Sequence, residues 1–151
     1  MVVTDSTFSV VTTSGDGLVL QGINGTSFND LFNSTITGAT YGILAINSGT
    51  GALSVTTTGD VTGTTSDGIL AINSSAGTSL TISAAAVTGA AQGIYARNSG
   101  TGTLSVTTTG AVTGTSSIGI RAYSYGTNMT VSAAAVSGGI DGISADNRGT
   151  G

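Results

Sequence analysis

The chain has no Lys, Glu, His, Cys, Pro or Trp, and its 151 residues include only three Arg and seven Asp. Each absence excludes a class of chemistry. Without Cys there is no disulfide framework and no thiolate metal site. Without His the commonest metal ligand and general base is missing. Three Arg and no Lys leave no electrostatic footprint for nucleic acid. No run approaches the roughly 18 consecutive apolar residues of a membrane span. The opening Met1-Val2-Val3-Thr4-Asp5 lacks the basic-then-apolar pattern of an export signal.

What is present is mostly small: 28 Thr, 25 Gly and 20 Ser make up nearly half the chain. That composition points towards disorder. Against it, Ile, Leu, Val and Phe together supply 35 residues, a share above the roughly 20% below which disorder sets in. The net charge is only -4, whereas disordered chains pair low hydrophobicity with high charge. Order then rests on where the apolar residues sit.

They sit in a repeat. Gly17-Leu18 is followed by Gly-Ile pairs at 42, 68, 93, 119 and 142, with spacings of 25, 26, 25, 26 and 23. Each pair opens a unit such as Gly42-Ile43-Leu44-Ala45-Ile46-Asn47 or Gly93-Ile94-Tyr95-Ala96-Arg97-Asn98. A second segment follows (Leu53-Ser54-Val55, Leu80-Thr81-Ile82, Leu104-Ser105-Val106, Met129-Thr130-Val131), then a third (Val61-Thr62-Gly63, Val87-Thr88-Gly89, Val112-Thr113-Gly114, Val136-Ser137-Gly138). Residues 48–63 and 99–114 agree at 14 of 16 positions, an offset of 51. Coils carrying Thr56-Thr57-Thr58 or Thr107-Thr108-Thr109 therefore alternate with coils carrying Ala84-Ala85-Ala86 or Ala133-Ala134-Ala135.

Within each segment apolar residues alternate with variable ones, the period of half-buried strands. β-Branched residues and Gly dominate and no 3.6-residue stripe appears, so helix is disfavoured. Three short strands per coil of about 25 residues predict an all-β parallel β-helix of about six coils. At about 4.8 Å per coil it stands about 29 Å tall. Right-handed crossovers are expected for parallel strands. The Ile and Ala of each first strand, the Leu and Val of the second and the Val of the third should point inward. Asn47, Asn73, Asn98 and Asn147 should stack at one corner, with Ser124 in the fourth place, and satisfy buried backbone groups there. Gly is expected to supply φ > 0 at the corners. The absence of Pro agrees with interior strands that donate ladder bonds throughout.

The pattern Gly-Ile-x-Ala-x-Asn, followed by Gly-Thr-Gly-x-Leu-x-Val-Thr-Thr-Thr-Gly-x-Val-Thr-Gly, resembles the repeats of large bacterial autotransporter passengers. The resemblance covers residues 36–151, and residues 1–35 match more loosely. It implies a right-handed parallel β-helix exported to the bacterial cell surface, there serving adhesion or autoaggregation among other uses. It transfers no catalytic motif. Residues 36–151 are read as regular β-helix repeats and residues 1–35 as irregular, with Phe8, Phe28, Leu31 and Phe32 forming a cap. Asn147-Arg148-Gly149-Thr150-Gly151 matches the linker that elsewhere leads into Leu53 or Leu104, so the chain is expected to be part of a longer array.

Candidate chemistry is sparse. The carboxylates are Asp5, Asp16, Asp30, Asp60, Asp67, Asp141 and Asp146. Asp16, Asp67 and Asp141 each precede the Gly of a first strand, where Asp-Gly is ordinary turn chemistry. Asp67 and Asp141 fall about three coils apart, roughly 14 Å, beyond the roughly 5–9.5 Å of a glycosidase pair. No enzyme activity, cofactor or metal is expected. Sequons at Asn24, Asn33, Asn73 and Asn128 are the chance yield of so many Ser, Thr and Asn. Glycine stretches such as Gly49-Thr50-Gly51 lack the helix and Lys of a phosphate loop.

Two surfaces remain. The outward positions of the first strands run Leu44/Ile46, Leu70/Ile72, Tyr95/Arg97, Arg121/Tyr123 and Ser144/Asp146. An outward face that starts apolar and turns aromatic and cationic is a candidate interaction face; coverage by another part of a longer protein is the plainer reading. The second strands present Ser54/Thr56, Thr81/Ser83, Ser105/Thr107 and Thr130/Ser132, a two-column hydroxyl array similar to that of ice-binding solenoids. Hydroxyl ladders are also ordinary strand surface. The sequence thus predicts a stalk or display segment of an extracellular bacterial surface protein, used in adhesion or self-association. A flat-surface binder such as an ice-binding solenoid is the alternative. Unpaired strand edges at the coil ends predict end-to-end or lateral self-association. Partners are expected to be a host or neighbouring-cell surface, without nucleic acid and without membrane insertion of this segment.

Overall fold

Strict alternation of apolar and small polar residues leaves one conformation that buries the first set and solvates the second, an extended strand. A computed structural model shows this arrangement and describes residues 2–4, 9–31 and 33–150. Asp5, Phe8, Phe32 and Gly151 lie outside the described residues. Among the described residues no helix occurs, and every pairing between strands is parallel. The fold is a parallel β-helix.

Three faces stack along its axis. The first contains Ile69–Asn73, Ile94–Asn98, Ile118–Ser124 and Asp141–Asn147, preceded by the opening halves of Leu18–Asn29 and Ile43–Thr56. The second contains Val2–Thr4, the closing halves of those same two long strands, Gly77–Ala84, and the opening halves of Leu104–Gly114 and Met129–Gly138. The third contains Ser9–Val11, Thr35–Gly38, Val61–Gly63, Val87–Gly89 and the ends of the last two long strands. Among the described residues each face thus holds six strands and the stack encloses five complete turns. The four long strands merge two of the three expected segments. The backbone rounds those corners while still pairing, through register shifts between Gly22 and Asn24, Gly51 and Leu53, and Thr108 and Ala111.

Register follows the sequence repeat. Ile43, Ile69, Ile94, Ile120 and Ile143 align on the first face, as do Ala45, Ala71, Ala96, Ala122 and Ala145. Leu53, Leu80, Leu104 and Met129 align on the second, with Val55, Ile82, Val106 and Val131 beside them. Ile36, Val61, Val87, Val112 and Val136 align on the third. These columns form one core, fully enclosed in the middle coils. Phe28 occupies the inward column below Val55 and is 0% exposed, so it is a core residue. Leu31 is exposed. The described part of residues 1–35 pairs in register with the coils that follow.

Most of the glycines serve a different purpose from the one expected. Among the described residues only Gly15, Gly25 and Gly51 have positive φ, with Asn33 the single non-glycine. At the strand starts the requirement is space. A Cβ on Gly68 would lie 2.5 Å from Val87 Cγ1 and 2.7 Å from the Gly93 carbonyl oxygen. Gly42, Gly93 and Gly119 meet the corresponding Val and carbonyl in their own coils. The corner therefore closes directly against the third-face valine.

Candidate functional site

The corner after the first face carries the expected Asn column. Asn47 Nδ2 donates to Asn73 Oδ1 at 2.8 Å, and Asn73 Nδ2 donates to Asn98 Oδ1 at 2.9 Å. Each amide also reaches main-chain carbonyls inside its own turn, those of Gly51, Thr78 and Gly102 among them. All three side chains are fully buried. The ladder is bounded by Gly22 on one side, which leaves Asn47 Oδ1 without a partner, and by Ser124 on the other. Asn147 stands above Ser124 and donates to the Thr127 carbonyl instead.

The Asp-Gly positions act between coils. Asp16 Oδ1 accepts from the Tyr41 amide at 3.3 Å, and Asp67 Oδ1 accepts from the Gln92 amide at 3.0 Å. Each carboxylate therefore caps the equivalent residue one coil on. Burial raises the Asp67 pKa, and the Gln92 hydrogen bond only partly offsets it. Asp30 gained nothing from sequence inspection beyond its place among the carboxylates, yet it is wholly buried. Its Oδ2 accepts from the Ser34, Thr58 and Gly59 amides and from Thr57 Oγ1. It holds a turn together. Among the described residues no group of three or more His, Cys, Asp or Glu is placed to hold a metal. No helix is long and apolar enough to cross a membrane among the same residues.

The hydroxyl array stacks as two columns. Ser54, Thr81, Ser105 and Thr130 align in one, and Thr56, Ser83, Thr107 and Ser132 in the other. Thr81, Thr107, Thr130 and Ser132 are exposed and the rest are half-buried. A further outward column lies on the third face: Thr37, Thr62, Thr88, Thr113 and Ser137. It repeats the Val-Thr-Gly segment and was legible there.

The first face changes character along the axis. Val19, Leu44 and Leu70 align with Tyr95 and Arg121, while Ile46 and Ile72 align with Arg97 and Tyr123. Leu44, Ile46, Leu70 and Ile72 are half-buried, and Val19 is 48% exposed. Beyond them Tyr95, Arg97, Arg121, Tyr123, Tyr125 and Arg148 line an open groove of ≈ 290 Å³. Register places Tyr95 beside Arg121 and Arg97 beside Tyr123, so ring and guanidinium alternate both along and across the strands. Arg121 Cζ lies 5.6 Å from the Tyr95 ring centroid and 5.0 Å from that of Tyr123. The two rings meet edge to face at 6.3 Å. Arg121 Nη2 donates to the Tyr123 hydroxyl at 2.8 Å, which raises the Arg121 pKa against a smaller opposing effect of burial.

Two groove residues escaped the sequence reading. Tyr125 and Arg148 occupy the place just after the Asn column, where Ser48, Ser74 and Ser99 stand in earlier coils. Arg97 Cζ lies 5.9 Å from the Tyr125 ring centroid, and Arg148 Nε pairs with Asp146 Oδ2 at 2.7 Å. Aligning the residue after each Asn would have found both. All three arginines of the chain and three of its four tyrosines thus meet in one groove. Such an arrangement can hold an anion against preformed guanidinium donors with apolar ring surface beside them.

No protein-family model matches the chain, and neither a curated protein nor a solved structure is significantly similar to it.

Proposed function

We propose that this chain is a non-enzymatic stalk or display segment of an extracellular bacterial surface protein, serving adhesion or self-association. The observation that carries this reading is the stacking of like on like along three faces of six strands each. Such a unit extends by adding coils, and each added coil satisfies the strand edge of the last. Length is therefore its adjustable property. Parallel pairing, the closed core and the buried Asn ladder make the unit rigid. Resemblance of the Gly-Ile-x-Ala-x-Asn units to autotransporter passengers supplies the surface location.

The location is tested by expressing the full-length gene in its own cells and digesting intact cells with protease. Display predicts release of fragments from this segment before lysis. Full protection until lysis contradicts it.

A further inference from the structure

The groove holds three guanidinium groups and little to balance them. The only ion pair among the described residues is that of Arg148 with Asp146. Arg97 is exposed and lies over the Tyr125 ring. Arg121 spends one donor on Tyr123, and its buried Nε has no partner. A guanidinium presents five donors in a planar fork that matches a carboxylate. Ring contacts already fix both side chains, so little conformational entropy remains to be lost on binding.

We propose that this groove binds the carboxylate of an acidic saccharide. Arg97 and Arg121 would grip the carboxylate, and Tyr95, Tyr123 and Tyr125 would offer ring faces to the sugar C–H groups and hydroxyls to its oxygens. Two features favour a saccharide over other anions. The tyrosines give apolar and hydrogen-bonding surface together, as a pyranose requires. The spacing of neighbouring coils, about 4.8 Å, is close to the advance of one pyranose in an extended chain, so successive sugars can meet successive coils. The inference does not depend on surface display; it needs only the groove.

The test uses the whole chain with tetragalacturonate, its methyl ester, sialyllactose and oligothymidylate, with binding followed by titration calorimetry and amide chemical shifts. The acid should bind, with shifts confined to residues around 95–97, 121–125 and 146–148. The methyl ester, Arg97→Gln and Arg121→Gln should each weaken binding by about tenfold or more, as loss of a charge-assisted hydrogen bond does. Exposed Arg97 gives the variant least able to disturb the fold, and circular dichroism checks both. Binding of sialyllactose as well would show that one terminal carboxylate suffices. Binding of tetragalacturonate alone would show that the chain is read along the coils. Equal binding of acid and ester, or of neither, overturns the proposal. So does tighter binding of oligothymidylate. Loss of self-association in Arg121→Gln without any saccharide binding would assign the groove to a second copy and overturn it equally.

Discussion

Asn73 Nδ2 donates to Asn98 Oδ1 at 2.9 Å, joining residues 25 apart in sequence and one coil apart in space. The same amide serves the Thr78 and Ser79 carbonyls, so one side chain satisfies a turn and ties it to the next. Asn73→Ala would remove both ladder bonds and the two bonds to the Thr78 and Ser79 carbonyls, leaving Asn47 Nδ2 its turn carbonyls and Asn98 Oδ1 the Gly100 amide. We expect a loss of about 2–4 kcal/mol in urea unfolding, since four hydrogen bonds are lost at about 0.5–1.5 kcal/mol each. Asn147→Ala, at the half-buried end of the column, should cost under about 1 kcal/mol. Equal effects at both positions would show that the ladder contributes nothing as a ladder.

Asp67 gives a pH dependence with a definite sign. Its folded pKa is raised, chiefly by burial. The folded state then holds the proton more tightly than the unfolded chain, so stability falls as pH rises from the unfolded carboxylate value through the raised one. Asp67→Asn keeps an oxygen for the Gln92 amide and removes the buried charge. Its unfolding midpoint should exceed the parent's at neutral pH, and the two should converge on acidification. A midpoint below the parent's at neutral pH would mean that the charge itself is needed there.

Gly68 is required for space. Its Cβ position is 2.5 Å from Val87 Cγ1, within a corner built of backbone. Gly68→Ala should cost about 2 kcal/mol or more, and Gly15→Ala, with open space but positive φ, about 1 kcal/mol. Chemical denaturation of the two variants side by side measures both. If Gly68→Ala is the milder change, the corner is looser than its geometry implies.

The columns were legible because strand period and coil period are both written in the sequence. Ile43, Ile69, Ile94 and Ile120 recur at fixed spacing, and parallel pairing converts that spacing into contact. The Asn corner was legible for the same reason. Tyr125 and Arg148 were missed because they lie in the turn just past the Asn column, outside the strand alternation, at a place that Ser48, Ser74 and Ser99 fill in earlier coils. Asp30 was hidden by its chemistry: four hydrogen bonds to a turn make a buried carboxylate acceptable, and no local pattern announces them. The glycine assignment held at Gly25 and Gly51 and failed at the strand starts, because composition does not distinguish a residue needed for φ > 0 from one needed for lack of a side chain.

End-to-end association should depend on Ile143. Placing Lys there puts a charge against the edge that a second copy would cover. Burying the exposed half of one Ile is worth about 1 kcal/mol, and the unpaired Lys charge adds to the loss, so Ile143→Lys should raise the dissociation constant by about tenfold or more. Sedimentation velocity across a concentration series reads this directly. A parent chain that stays monomeric at the highest concentration would contradict association through this edge.

The account rests most on the claim that length is set by the number of coils while the cross-section stays fixed. A second copy of residues 48–98 inserted after Asn98 preserves every junction, since Asn98 again precedes Ser48 as it now precedes Ser99. Small-angle scattering of the two monomers is the direct comparison. The account predicts a particle about 10 Å longer, two strand spacings, with an unchanged cross-sectional radius. An increase in cross-section without added length would contradict it.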